Sequence, residues 1–214
     1  MPPMTAARVR IRLSQQLNRR RAPLAVLAAG GTAGLSLGAA AGATGWPVYA
    51  VVLLAGAAAV ALADLRVGLS DLTVWGLVGF ALGHVAGGMV PVGGGVLYQQ
   101  WLVGRVIRFD NVQHAWGFGF AGRAVWESLR PQLAGAPAPR LAAASMIVLG
   151  GVGLGAGNEI IEYLLTKLLP ETNVGGYENT ARDLVANLVG AVLAAGLTAR
   201  ALPRAARPHR DRRP

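Results

Sequence analysis

Cysteine is absent from this chain of 214 residues. That excludes disulfides, thiolate-ligated zinc, iron–sulfur clusters and thiol catalysis, and it leaves the redox compartment unread. Charge is also scarce: Asp, Glu, Lys and Arg make up 14% of the residues, against about 25% in soluble domains. Acids are the scarcer sign, with 10 Asp and Glu facing 20 Lys and Arg. No serine or cysteine nucleophile constellation is visible, and no glycine-rich phosphate loop carries its lysine. The chain is too short to hold a separate soluble domain beside a membrane bundle.

What is abundant is apolar length. Hydrophobic residues reach 53% and the mean hydropathy is +0.45, so the composition points to a bilayer as solvent. The apolar residues fall into six blocks, near 23–43, 47–64, 71–90, 111–129, 141–165 and 180–202. Each has about the length that crosses 30 Å of hydrocarbon as a helix. The expected fold is all-α, an integral membrane bundle over 23–202, with a basic arm at 1–22 and a basic tail at 203–214. The first three blocks hold almost no ionisable group apart from His84, whereas the last three hold nearly all the intramembrane polar residues.

The net charge of +10 and pI of about 11.4 suggest nucleic acid only until their distribution is considered. Six arginines lie within residues 1–21 and six within 200–213, flanking the apolar blocks. With both termini in the cytoplasm, 15 of the 20 basic residues fall on that side and three, Arg105, Arg108 and Lys167, fall outside. The positive-inside rule favours this orientation, and the partner it implies is membrane lipid rather than nucleic acid. Arg19, Arg20 and Arg21 before an apolar block also fit the start of a signal peptide, with a small-residue stretch at Ala39–Ala43.

Glycines recur every four positions at Gly30, Gly34, Gly38 and Gly42, and again at Gly79, Gly83 and Gly87. Such rows bring helix backbones together in lipid, where packing replaces the hydrophobic drive. Residues 97–108, with Tyr98 and Trp101, read either as a short interfacial helix or as a loop with aromatic anchors.

The polar residues of 109–190 gather near one membrane face. Asp110 and His114 are four apart at the start of the fourth block, on one helix face. Glu159 and Glu162, preceded by Asn158, are three apart near the end of the fifth. Asp183 and Asn187 are four apart in the first turns of the sixth, beside Arg182, with Asn179 or Thr180 as a candidate N-cap. Intramembrane charge is costly unless it faces inward and pairs, so three helices presenting such pairs at one depth imply a polar pocket between them. The glutamates sit at the unfavourable end of a helix dipole and need a cation, which Arg182, Arg123, protonation or a metal would supply. Arg123 and Glu127 read as a structural pair, His84 as a packed or interfacial histidine, and Lys167, Glu171 and Glu178 as solvated loop charges.

These segments, FDNVQH, NEIIEY and DLVANLVGA, resemble the Asp-x-x-x-His, Glu-x-x-Glu/Gln and Asp-x-x-x-Asn-x-x-Gly-Ala signature of VanZ-like membrane proteins. They are also similar to the YjdF-like inner-membrane family, whose second motif carries two glutamates. The resemblance covers about residues 105–197. VanZ-like proteins are associated with low-level resistance to teicoplanin, a glycopeptide acting on cell-wall precursors. Glu162, where that family often has Gln, leans the likeness toward the YjdF-like group, from which no activity can be carried over.

The expected protein is therefore a multi-pass cell-envelope membrane protein whose pocket faces away from the cytoplasm and handles an amphiphilic, lipid-linked envelope molecule. Asp110, Asn158, Arg182, Asp183 and Asn187 are its expected binding residues. Two chemistries stay open within it. Asp110, His114, Glu159, Glu162 and Asp183 are donors suited to a divalent metal that activates water. Otherwise Glu159, Glu162 and His114 would serve as catalytic acid and base. A transporter or proton-coupled carrier, or a purely structural assembly partner, are the rival classes.

Overall fold

The computed structural model describes residues 6–43, 45–133, 140–169, 172 and 174–202, with side chains from residue 14 onward. The basic tail 203–214 and Glu171 lie outside the described residues. Six long helices follow one another: α1 (Ala6–Ala40), α2 (Trp46–Val67), α3 (Asp71–Met89), α4 (Phe109–Leu129), α5 (Arg140–Leu168) and α6 (Tyr177–Ala201). Five are long and apolar enough to cross a membrane, and α4 falls short of that apolarity. Its 21 residues are still long enough, and its polar side chains turn into the bundle, since α4 packs on α3, α5 and α6. A multi-pass protein of a cell membrane follows from these helices.

The surface is that of a protein solvated by lipid. Large apolar side chains such as Leu54, Leu141, Leu149 and Leu197 point outward. The interior holds Trp126, Ile147, Phe118 and Val85 among small residues, together with buried Thr73, His114, Glu159, Asp183, Asn187 and Thr198. Lipid removes the drive to bury leucine, so backbone approach decides which helices touch. The tightest group is α4, α5 and α6. There Gly190 lies against the carbonyl of Ala115, and Gly122 against that of Ile147. A Cβ at either would collide with backbone, which cannot rotate away.

The first glycine row does the same work between α1 and α3. Gly30, Gly34 and Gly38 face Leu82, Val85 and Met89. Gly42 has left the helix and turns the chain at φ 83°. In the second row, Gly79, Gly83 and Gly87 receive Trp116, Gln113 and Tyr98 from α4 and the preceding loop.

Residues 91–108 form two small antiparallel hairpins, so of the two readings of 97–108 the loop is the one found, a 3₁₀ turn followed by a hairpin. β1 (Pro91–Val92) pairs with β2 (Gly95–Val96) across a Gly93–Gly94 turn with φ of 57° and 83°. One 3₁₀ turn at Leu97–Gln99 leads to β3 (Trp101–Val103), which pairs with β4 (Ile107–Arg108). Two successive left-handed glycines build a hairpin turn, and Val103, Val106 and Ile107 favour extended backbone over helix. Trp101 stays exposed at the surface, its ring lying under the Arg108 guanidinium at 4.4 Å. Tyr98 turns inward instead and meets His84.

The basic arm also departs from expectation. α1 begins at Ala6 and runs through Pro23 without a break, so the arginine cluster is part of the first helix. Arg20 is only 6% exposed. Its guanidinium donates to Asp64 Oδ1 and Oδ2 at 2.8 and 2.9 Å, to the carbonyl of Leu69, and to Asp71. A flanking charge set to mark orientation thus closes α1 onto the α2–α3 corner.

At the same end of the bundle, Glu127 accepts from Ser70 and Thr73, while Arg123 donates to Glu127, Thr73 and Thr198. The Arg123–Glu127 pair, 3.1 Å apart, is the structural tie that its spacing suggests.

Candidate functional site

At the opposite end, the three polar pairs meet. The start of α4, the end of α5 and the start of α6 are brought to one level because consecutive helices run antiparallel. His114, 6% exposed, is the centre. Its two ring nitrogens point to different carboxylates: Nε2 stands 3.6 Å from Asp110 Oδ1, and Nδ1 stands 3.7 Å from Glu159 Oε1. Asn187 Oδ1 lies 3.1 Å from the same Nδ1.

The two sides of the imidazole differ in how well they are satisfied. On the aspartate side, fully buried Asp183 accepts from Asn111 at 3.0 Å and from Asn179. Asn179 also donates to Asp110 at 3.3 Å, and its own carbonyl oxygen accepts from Arg108 at 3.3 Å. This network staples α4 to α6, with both oxygens of Asp183 satisfied. On the glutamate side, Asn158 donates to Glu162 Oε1 at 2.8 Å. Glu159 is 7% exposed, yet neither of its oxygens meets a donor at hydrogen-bonding geometry. The Asn187 Nδ2 is likewise buried and unpaired. Buried polar groups are nearly always paired, so such orphans mark a place where something else is accommodated.

The arginines considered as counter-charges do not reach these glutamates. Arg182 turns to Glu178 at 2.7 Å and lies over Trp101, so it stands apart from the pocket it was expected to line. Arg123 belongs to the cluster at the other end. Among the described residues the glutamate pair is left with His114, protonation or a metal. Two groups are close enough to chelate an ion, Asp110–His114–Asp183 and His114–Glu159–Glu162, each offering donor atoms within 4.8 Å of one another.

Beside this cluster opens a cavity of about 670 Å³. Its polar lining comes from Asp110, His114, Asn158, Glu162 and Asn179. Its apolar lining comes from Val48, Val52, Phe118, Ile161 and Leu165. Three residues that spacing did not single out as ligands complete it. His84 Nδ1 meets the Tyr98 hydroxyl at 2.6 Å, and its ring stacks on Tyr49 at 4.8 Å. Burial, and then the nearby Tyr49 and carboxylates, push the Tyr98 phenol well above its usual pKa, so it keeps its proton. A histidine among glycines on α3 gave only a weak signal for this role, and Tyr49 on α2 gave none.

Neither Asn179 nor Thr180, the two candidate caps, begins the helix. The helix in fact starts at Tyr177, with Gly176 as its N-cap. Asn179 is therefore inside the first turn and free to bridge two aspartates.

Residues 22–204 match the model of a family described as "Predicted membrane protein (DUF2238)". The chain belongs to this DUF2238 family. The match takes in α1 from residue 22 and all of α2 to α6, well beyond the 105–197 region that carries the motifs. No curated protein matches the chain, and no solved structure does. For this DUF2238 protein the site must therefore be read from its own side chains.

Proposed function

We propose that this protein binds an amphiphilic, lipid-linked envelope molecule, with its headgroup at the His114 cluster and its chain along the α2–α5 lining. The observation that supports the reading most is the mixed lining of the cavity. Part of it is rich in hydrogen-bond acceptors and part is aliphatic and aromatic, drawn from helices that also face lipid. α2 packs on α1, α3 and α4 and leaves most of its apolar stretch exposed, so nothing holds it tightly to α5. A lateral mouth between α2 and α5 admits a molecule from the bilayer without carrying its headgroup through hydrocarbon.

Carboxylates and amide oxygens select a headgroup that donates hydrogen bonds, either sugar hydroxyls or an amine. The likeness of the three motifs to VanZ-like and YjdF-like proteins, together with the positive-inside count, supports placing this pocket on the extracytoplasmic side. A carrier is less well supported. Between the two polar clusters stand Phe118, Ile147 and the backbone contact of Gly122, which interrupt a polar path.

Lipids retained by the purified full-length protein, identified by mass spectrometry, test the reading. Leu165→Trp, which fills the apolar lining, is expected to lower retention of a sugar- or amine-headed lipid by roughly tenfold, in line with loss of a well-filled contact worth about 1.4 kcal/mol. Leu149→Trp, on a side chain 73% exposed, is the control expected to change nothing. Equal retention in all three proteins would contradict the proposal.

A further inference from the structure

We propose that the glutamate side of His114 is a divalent-metal site, with His114 Nδ1, Glu159 and Glu162 as ligands and Asp110 holding the ring from behind. The two candidate ligand groups share His114, and hydrogen bonding separates them. Asp183 already accepts on both oxygens, from Asn111 and Asn179, and Asp110 accepts on Oδ2 from Asn179, so Asp183 is committed to the α4–α6 staple and Asp110 is partly held by it. Glu159 has no such partner although it is buried, and Glu162 has one oxygen held by Asn158 and the other left over. A buried carboxylate without a donor is a ligand set aside for a cation.

Geometry agrees. Two donors on a tetrahedral ion with bonds of about 2.1 Å stand roughly 3.4 Å apart, and Nδ1 lies 3.7 Å from Glu159 Oε1. The carbonyl oxygen of Asn187, 3.1 Å from the same nitrogen, is a further neutral donor. With Nδ1 on the metal, Nε2 carries the proton and faces Asp110 Oδ1, 3.6 Å away, close enough for the carboxylate to draw in as a partner when the ion binds. That is the carboxylate–histidine–metal arrangement that fixes ring orientation in metalloproteins. One imidazole with carboxylates and no thiolate suits zinc or manganese rather than copper(I) or an iron–sulfur cluster. The site is independent of the lipid reading, because an ion can be counted in lipid-free detergent whether or not an amphiphile enters the cavity.

The test uses the full chain, purified without a histidine tag, stripped with a chelator and equilibrated separately with Zn²⁺ and Mn²⁺. Elemental analysis after desalting is expected to find about one ion per wild-type chain. Glu159→Gln and Glu162→Gln are each expected to lower occupancy at least tenfold, and Asp183→Asn to leave it in place. Asp110→Asn is expected to weaken binding by about 10–100-fold, as loss of such a supporting carboxylate does. Should the glutamate variants fail to fold, pulsed electron paramagnetic resonance of Mn²⁺ on the wild type decides, through the coupling of one directly bound histidine nitrogen. Folded wild type that retains no ion, an ion without histidine coupling, or loss in Asp183→Asn with retention in Glu159→Gln would each overturn the assignment.

Discussion

Arg20→Ala is expected to destabilise the protein by about 3–5 kcal/mol, the cost typical of breaking a buried ion pair from one side. Arg20 and Asp64 are 6% and 5% exposed, and their fork-to-carboxylate contact is bidentate. The substitution leaves Asp64 charged and enclosed, still accepting from the Leu69 amide at 2.8 Å but without its cation. It also frees the Leu69 carbonyl, which Arg20 satisfies at the turn between α2 and α3. Arg20→Lys would recover only part of the loss, because a point charge cannot serve two carboxylate oxygens and a carbonyl in one plane. Arg20→Met combined with Asp64→Leu, which removes both charges, is expected to be far milder than either single change. Unfolding in a mixed-detergent titration measures the series. Equal stability of Arg20→Ala and wild type would show that the pair is dispensable and that α1 is held by its glycine row alone.

Asp183→Ala is expected to be the second most damaging change, at about 1–3 kcal/mol, the cost of one donor left without its acceptor. The half-buried Asn111 amide loses its partner, while Asn179 keeps its longer contact to Asp110. Asp183 is fully buried and joins Asn111 of α4 to Asn179 of its own helix. Asp183→Asn keeps the volume and one acceptor oxygen, so it should serve one of the two amides and lose roughly half as much. The same titration read beside a variant of exposed Leu184 gives the comparison. An Asp183→Ala protein as stable as wild type would mean that α4 and α6 are joined by backbone packing alone.

Much of this architecture was legible in the chain. Six apolar blocks became six helices because span length is set by bilayer thickness, whatever the packing. The three polar pairs met because consecutive spans must return their ends to one face. The Gly30–Gly38 row found a partner helix because a groove in lipid is filled by whichever side chains fit it. What stayed hidden depended on the rotation of each helix about its axis. Arg20 and Asp64 are 44 residues apart, and nothing local tells a flanking arginine from one turned inward. Arg182 sits one residue before Asp183, and that single step of about 100° sends it to Glu178 while Asp183 enters the core. Tyr98 was equally unreadable, since its inward turn depends on two hairpins set by glycines that also recur throughout the helices.

The central claim is that the carboxylates around His114 divide into a structural side and a side kept for function. Functional sites commonly cost stability, so relieving one should strengthen the fold. The most direct measurement is the melting temperature of metal-free Glu159→Gln beside metal-free wild type, in the same detergent. The account predicts an equal or higher value, by on the order of 3 °C for each kcal/mol relieved in a chain of this size, because a buried carboxylate without donors is replaced by a neutral amide. A fall of several degrees, like that expected for Asp183→Asn, would show that Glu159 is one more tie between helices and would contradict the account.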